Sequence, residues 1–443
     1  MEETGSTTER GTIDIAELAE AWALLPHADR VAGFRLLEAG DSEEFFFDLD
    51  TPDQVELLLA LPPVERRRWI RLLPPDDAAD VIQAAEEETR PELLNLLDET
   101  KRKEVSALLA YAEDEAGGLM SSRFARVRPD MTVDEAIAYL RKQATSTIEP
   151  ETIYYVYVLD AEQRLLGVIS FRDLFAAQSG TVVRTIMVTE VVSAHEEMDQ
   201  EALAHLFSER DLLAVPVVDS SGVLKGIVTV DDIVDVVEEE ATEDIQKFGG
   251  MEALDEPYMR TGFFSLVRKR AGWLTVLFFA QLLTAEVITS FEDRLGARII
   301  ALAIFIPLIL SSGGNSGSQA STLVIRAMTV GELRLRDWWR VARRELATGL
   351  AMGAVLGGLG LARVLLSAAT GTSFDTDATR LAWVVAGSLV GVVVWGTLVG
   401  SMLPFILRRI RLDPASASAP LVATLSDVVG LMIYFSIASV LIF

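Results

Sequence analysis

Asp427 lies in the run Ala423-Thr424-Leu425-Ser426-Asp427-Val428-Val429-Gly430, deep inside an apolar stretch long enough to cross a bilayer. An ionised carboxylate at the centre of a membrane helix costs roughly 2.5–3.5 kcal/mol even on a lenient scale, so it is kept where it faces a cavity, a counter-charge or a cation. The only base placed within another apolar stretch is Arg363, nearer the outer end of its span, which leaves an ion as the better partner. A second polar stretch lies at comparable depth. Behind Pro307 come Ser311-Ser312-Gly313-Gly314-Asn315-Ser316-Gly317-Ser318-Gln319. Small residues in a membrane serve close helix packing or an irregular backbone lining a watery path, and the amides of Asn315 and Gln319 need partners at that depth.

A third constellation carries charge outright. Asp231, Asp232, Asp235, Glu238, Glu239, Glu240, Glu243 and Asp244 put eight carboxylates into fourteen residues without one base. On a helix, 232, 235, 239 and 243 share a face, and like-charge neighbours there cost a few tenths of a kcal/mol each. A bound cation relieves this, and hard oxygen ligands in number favour Mg2+ or Ca2+ over softer metals.

The elements that position these groups fall into two regimes of composition. Residues 1–260 hold 23 Lys+Arg against 56 Asp+Glu (23 − 56 = −33), and residues 261–443 hold 16 against 10 (16 − 10 = +6). So acidic a first part repels nucleic acid and anionic lipid. The absence of cysteine excludes disulfides, thiolate metal sites and cysteine nucleophiles. Residues 1–12 are polar, lack the apolar core of a signal peptide, and read as a disordered tail.

Five stretches are long enough to span a bilayer: 271–291, 299–325, 346–369, 381–407 and 415–443. Asp413-Pro414 predicts the N-cap and first helical residue of the last of them. Arg268-Lys269-Arg270, the arginines between Arg326 and Arg344, and Arg408, Arg409 and Arg411 all fall on one side. By the positive-inside rule that side is cytoplasmic, as is the N-terminal half, and the C-terminus lies outside.

Within the soluble half a repeat recurs at 59 residues. Val156-Tyr157-Val158-Leu159-Asp160 with Gly167-Val168-Ile169-Ser170-Phe171-Arg172-Asp173 matches Val215-Pro216-Val217-Val218-Asp219 with Gly226-Ile227-Val228-Thr229-Val230-Asp231-Asp232. Each unit reads as helix, strand, turn, strand, helix. The pair looks like tandem CBS modules. Residues 13–112 show only helical stretches, punctuated by Pro62-Pro63, Pro74-Pro75 and Pro91, with Leu57-Leu58-Leu59 and Trp69-Ile70 as core. From Glu240 to Tyr258 the pattern is that of an amphipathic connecting helix.

Taken together, the chain resembles the MgtE family of magnesium channels and transporters over nearly its whole length. The pieces are Pro307-Leu308 leading into Gly313-Gly314-Asn315-Ser316-Gly317-Ser318-Gln319, Asp413-Pro414-Ala415, Ala423-Thr424-Leu425-Ser426-Asp427 with Gly430, and Glu240-Ala241-Thr242-Glu243-Asp244-Ile245. The resemblance implies a multidomain membrane protein of the cell (inner) membrane. Its parts would be an all-α superhelical N domain (13–116), an α/β CBS pair (117–180 and 181–239), a connecting plug helix (240–262) and a five-helix transmembrane domain (263–443). It implies a homodimer that carries Mg2+ on its two-fold axis past paired Asp427 side chains, with Asn315, the Ala423 carbonyl, Gly314 and Gly317 around the path. It implies closure by cytosolic Mg2+ at Asp232, Asp235, Glu240, Glu243 and Asp244. Transport of Co2+, Mn2+ or Ni2+ on the same architecture is the alternative. ATP at the first CBS unit would meet Tyr155, Arg172 and Asp173, although Leu212 stands where an adenine-stacking aromatic is expected. A CBS-linked anion channel, a metal-ion sensor without transport and an intramembrane metalloprotease fit less well, the last because His27, His195 and His205 all lie in the soluble half.

Overall fold

The computed structural model describes residues 13–22, 24–144, 150–152, 154–254, 258–295, 302–370 and 377–442, so the expected N-terminal tail lies outside the described residues. The chain forms two compact units, Met1–Glu238 and Glu239–Phe443.

The first unit begins with eight helices: α1 (Ile15–Trp22), α2 (His27–Phe34), α3 (Ala39–Phe47), α4 (Thr51–Ala60), α5 (Pro63–Leu72), α6 (Pro75–Ala84), α7 (Arg90–Leu96) and α8 (Glu99–Leu108). Its punctuating prolines are helix starts. Pro63 and Pro75 occupy the first helical positions of α5 and α6, where a missing N–H leaves no bond unmade. Asp98 caps α8 by accepting from the Lys101 backbone N–H at 3.0 Å. The Lys101 ammonium then donates to the carbonyls of Arg71 and Leu73, which end α5. Trp22, Phe34, Phe45, Phe46 and Trp69 stack into an aromatic core with buried Leu57, Leu58 and Ile70. That core runs on through Val215, Val217, Val228 and Ile233 of the second repeat.

Short helix α9 (Ala116–Leu119) leads into the repeats. The first comprises β1 (Arg126–Val127), α10 (Val133–Ala144), β2 (Tyr155–Leu159), β3 (Leu165–Ser170) and α11 (Phe171–Ala176). The second comprises β4 (Ala194–His195), α12 (Gln200–Arg210), β5 (Ala214–Val218), β6 (Leu224–Thr229) and α13 (Val230–Phe248). Both sheets have the order parallel pair then hairpin, β1-β2-β3 and β4-β5-β6. Val158 pairs with Gly167 and Val217 with Gly226, so the sequence period is also a period of register. The shared glycine admits a neighbouring backbone: a Cβ on Gly226 would lie 2.7 Å from the Ser121 carbonyl oxygen, and one on Gly167 2.8 Å from that of Val188.

The second unit holds α14 (Phe263–Leu295), α15 (Ile306–Thr329), α16 (Trp338–Ala369), α17 (Ala378–Arg409) and α18 (Ala419–Leu441). Four of these, α14, α16, α17 and α18, are long and apolar enough to cross a membrane. The expected second span is α15, whose 24 residues rise about 36 Å. Its small polar middle keeps it out of that apolar group. The middle of α15 is a continuous helix with no break, so close packing is the use its small residues serve here. A Cβ on Gly317 would sit 2.7 Å from Val422 and 2.9 Å from the Gly396 carbonyl, and Gly400 lies directly against Gly317. Backbones at such a crossing meet without intervening side chains.

Two boundaries differ from expectation. Asp413 caps only a 3₁₀ turn, Pro414–Ser416, and α18 starts later, with Ser418 as its N-cap. The connecting helix is the C-terminal half of α13, continuous with the acidic run, and it ends at Phe248 before Gly249 and Gly250 rather than running on to Tyr258. Gly250 has φ +76°, the left-handed conformation that closes a helix.

Candidate functional site

In the membrane unit, Asp427 stands on α18 with Oδ2 accepting a hydrogen bond from Gln281 Nε2 of α14 at 3.3 Å. One turn earlier, Ala423 touches α15: a side-chain carbon on Gly314 would lie 3.4 Å from Ala423 Cβ. Ala423 and Gly314 thus meet at the α15–α18 seam, Gly317 packs against Val422 and the Gly396 carbonyl, and Asp427, one turn beyond Ala423, is met by Gln281 of α14. Asn315, next to Gly314, is exposed, and its amide donates to Ser311 Oγ at 3.2 Å rather than to Asp427. Gln281 is the residue that sequence reasoning missed; its signal was a lone amide in Phe278-Phe279-Ala280-Gln281-Leu282. Ser426, fully buried beside Asp427, has an Oγ with no hydrogen-bond partner among the described residues. The Trp273 indole donates to Ser418 Oγ at 3.1 Å and so ties α14 to the start of α18.

At the C-terminal end of α13, Lys247 Nζ lies 2.7 Å from Asp413 Oδ2 and also pairs with Glu243. Burial alone would lower this ammonium's pKa, but the bonds to Asp413 and Glu243 outweigh it and hold Lys247 above its ordinary range. Asp244 faces Thr329 Oγ1 at 3.4 Å. Burial and then the nearby Asp413 push the Asp244 carboxyl up. Three of the expected regulatory carboxylates, Glu240, Glu243 and Asp244, belong to this unit.

Asp232 and Asp235 belong to the other unit, where Asp232 Oδ2 accepts from the Thr229 hydroxyl at 2.7 Å. Besides Asp231, Asp232 stands among acids from outside the run 231–244. Burial, and then charge from Asp76 and Asp231, raises it to about 7. Asp76, buried at the start of α6, is raised to about 6 by burial and by Glu151. Asp77 reaches about 7 by burial, Asp76 and Asp232. Asp80, at the water-exposed rim, moves the same way, from the protein packed around it and then from Asp77 and Asp76. Glu151 is raised too, by burial, while its Oε2 accepts from Ser121 Oγ at 3.2 Å. Asp235 is exposed and shifts upward by partial burial and by Glu238. Asp76 Oδ1 is buried with no hydrogen-bond partner among the described residues, the condition that an ion or an ordered water relieves. Among the described residues, no three acidic or imidazole groups converge as a ready metal shell.

In the first repeat, Tyr155 opens β2, while Arg172 and Asp173 lie in the first turn of α11. Asp173 is engaged locally, accepting from the Ser170 hydroxyl at 2.6 Å. Leu212 packs against the core. The apolar hollow of about 160 Å3 in this repeat is lined by Ile137, Leu140, Phe171 and Phe175 among others, and by none of those three residues.

Comparison with known proteins follows the same divisions. A family model described as a divalent cation transporter matches residues 306–437, one described as the MgtE intracellular N domain matches 13–114, and one described as the CBS domain matches 112–180 and 183–239. The magnesium transporter MgtE of Thermus thermophilus is 46% identical over 350 residues, covering 79% of this chain and 75% of its own. That of Bacillus subtilis is 37% identical over 349 residues, 79% and 74% of the two chains. The crystal structure of the cytosolic domain of the Mg2+ channel MgtE in complex with ATP is 41% identical, with a TM-score of 0.47, and covers 51% of this chain and 90% of that one. An inosine-5'-monophosphate dehydrogenase of Methanocaldococcus jannaschii is 34% identical over only 108 residues, 24% of this chain, within the CBS pair.

Proposed function

Because the chain belongs to the MgtE family of divalent cation transporters, we propose that it carries Mg2+ across the plasma membrane past Asp427, and that cytosolic Mg2+ closes the path. The observation that carries this reading is a carboxylate placed mid-helix in α18, one turn from the contact of Ala423 with Gly314 of α15, whose one hydrogen-bond partner among the described residues is the neutral amide of Gln281. Mg2+ sheds water reluctantly and is held through a few carboxylates and its own hydration shell. Two copies of Asp427 across a homodimer axis balance its two charges, with the Ala423 carbonyl, Asn315 and the small surface of Gly314 leaving room for a hydrated ion, while Gly317, first expected beside the path, is taken up by packing.

For regulation, the support is a crowding of carboxylates that their own hydrogen bonds and neighbouring bases offset only in part. Asp76, Asp77, Asp80, Asp232 and Glu151 raise one another's proton affinity in the cytosolic unit, with Asp235 nearby on α13. Glu240, Glu243 and Asp244 add carboxylates at the end of α13, where Lys247 and Asp413 sit. Moving a gate from 1:99 to 99:1 takes about 5.5 kcal/mol of differential binding, so several weak ions acting together throw it. The N-terminal unit lies in the cytoplasm and the C-terminus outside. ATP, held near Tyr155, Arg172 and Asp173, is a further ligand of this reading.

The test is complementation. In cells stripped of their own Mg2+ uptake, the chain restores growth at low external Mg2+; no rescue by protein shown to be in the membrane would sink the proposal. Rescue accompanied by equal sensitivity to Co2+ or Ni2+ would favour the broader divalent reading.

A further inference from the structure

The start of α16 carries a concentration of positive charge that neither the ion path nor its regulation uses. Arg334, Arg336, Arg340, Arg343 and Arg344 are all exposed. Arg336, Arg340, Arg343 and Arg344 follow the i, i+4, i+7, i+8 spacing of one helix face. Like charges at this spacing repel, and cations in the first turns oppose the positive end of the helix dipole. The internal remedy is partial. Asp337 pairs with Arg340 at 2.9 Å, and Glu345 feels the charge of Arg344, but among the described residues Arg336 and Arg343 form no ion pair.

These side chains are also shaped around a space. Arg336, Asp337, Trp339, Arg340, Arg343 and Arg344 line an open depression of about 580 Å3. Trp339, in its wall, and Trp338, the residue before it, are 59% and 51% exposed, with their rings edge to face. The apolar part of the same helix, running on to Ala369 and long enough to span a membrane, begins immediately beyond. Exposed indoles beside an apolar span mark headgroup depth, and planar guanidinium groups match phosphate oxygens two at a time.

We propose that this arginine–tryptophan depression binds the phosphate headgroup of an anionic phospholipid from the cytoplasmic leaflet. The site is separate from Asp427 and from the acidic clusters, and it stands whichever divalent ion the chain carries. The apolar flank selects a membrane lipid over a soluble phosphate, because only a lipid satisfies the arginines and covers the exposed indoles at once.

The test uses the full chain, delipidated in detergent, with bound lipid counted by native mass spectrometry against dioleoyl-phosphatidylglycerol and dioleoyl-phosphatidylcholine. The expected result is at least tenfold tighter retention of the anionic lipid. The Arg340→Gln/Arg343→Gln/Arg344→Gln variant brings this down to the phosphatidylcholine level, since each surface arginine is worth roughly fivefold. The Arg340→Lys/Arg343→Lys/Arg344→Lys variant keeps the charge, and with it the topology signal, but loses the planar fork, and it weakens retention about threefold or more. Arg408→Gln/Arg409→Gln, which removes charge from the last turn of α17, leaves retention within twofold. Equal retention of the two lipids by the unmodified chain would overturn the proposal, as would unchanged retention by the lysine variant, an equal loss at Arg408 and Arg409, or displacement of the lipid by millimolar glycerol phosphate.

Discussion

Asp427→Asn lowers Mg2+ flux through the reconstituted protein by at least tenfold, while Asp427→Glu retains a measurable fraction. The asparagine keeps the size of the side chain and its ability to meet Gln281 at the position now 3.3 Å away, so the helices stay packed and only charge is lost. A divalent ion about 5 Å from one carboxylate gains roughly 2–7 kcal/mol between the bulk-water and near-surface dielectric limits, and each 1.4 kcal/mol is tenfold in occupancy. Initial rates from a Mg2+-sensitive dye inside vesicles read the effect. Wild-type rates in Asp427→Asn would mean that the ion path lies elsewhere.

The second large effect is a linked dependence on pH and Mg2+ in the cytosolic unit. Asp76, Asp77 and Asp232 have folded pKa values of about 6, 7 and 7, against ordinary carboxylates near 4. The folded unit therefore binds more protons than the unfolded chain between these limits. Stability is full at acid pH and falls as pH rises through about 4 to 8. In chelator, the melting temperature of this unit is expected to drop by 5 °C or more from pH 6 to pH 8. Saturating Mg2+ restores it, with a larger gain at pH 8, where protons no longer compete for the carboxylates. Asp76→Asn/Asp77→Asn/Asp232→Asn flattens both dependences. A melting temperature that rises from pH 6 to pH 8 in chelator would contradict this account.

What the sequence made legible is what bilayer and repeat chemistry penalise most. Asp427 could be found because a charge in an apolar helix is expensive, and the CBS pair because Gly167 and Gly226 keep register across a 59-residue period. Gln281 carries little penalty as a neutral amide, and its partner is 146 positions away. Asp76 and Asp77 read as ordinary first-turn acids behind Pro75; only packing of α6 in the unit's core buries the first and half-buries the second. Lys247 is a lone base after a long acidic run, and its pairing with Asp413 bridges 166 positions.

The start of α18 failed for a local reason. Asp413-Pro414 and Ser418-Ala419-Pro420 are both sound caps, and local propensity does not decide between them. The connecting helix merged with α13 because nothing breaks the helix before Gly249. For α15, the sequence left close packing and a watery irregular path both open. The continuous helix and the contact of Gly317 with Gly400 assign the glycines to packing.

The central claim, a divalent ion on a watery path beside Asp427, has a direct test because the chain has no cysteine of its own. Ala423→Cys places one thiol a helical turn from Asp427, at the seam with Gly314. In sealed vesicles the rate of its modification by a small, charged, membrane-impermeant thiol reagent is measured with and without Mg2+. Modification from water that Mg2+ slows several-fold, with protection lost when Asp427→Asn is added, is the predicted result. A thiol that never reacts, or one that reacts at the same rate whether or not Mg2+ is present, would contradict the account.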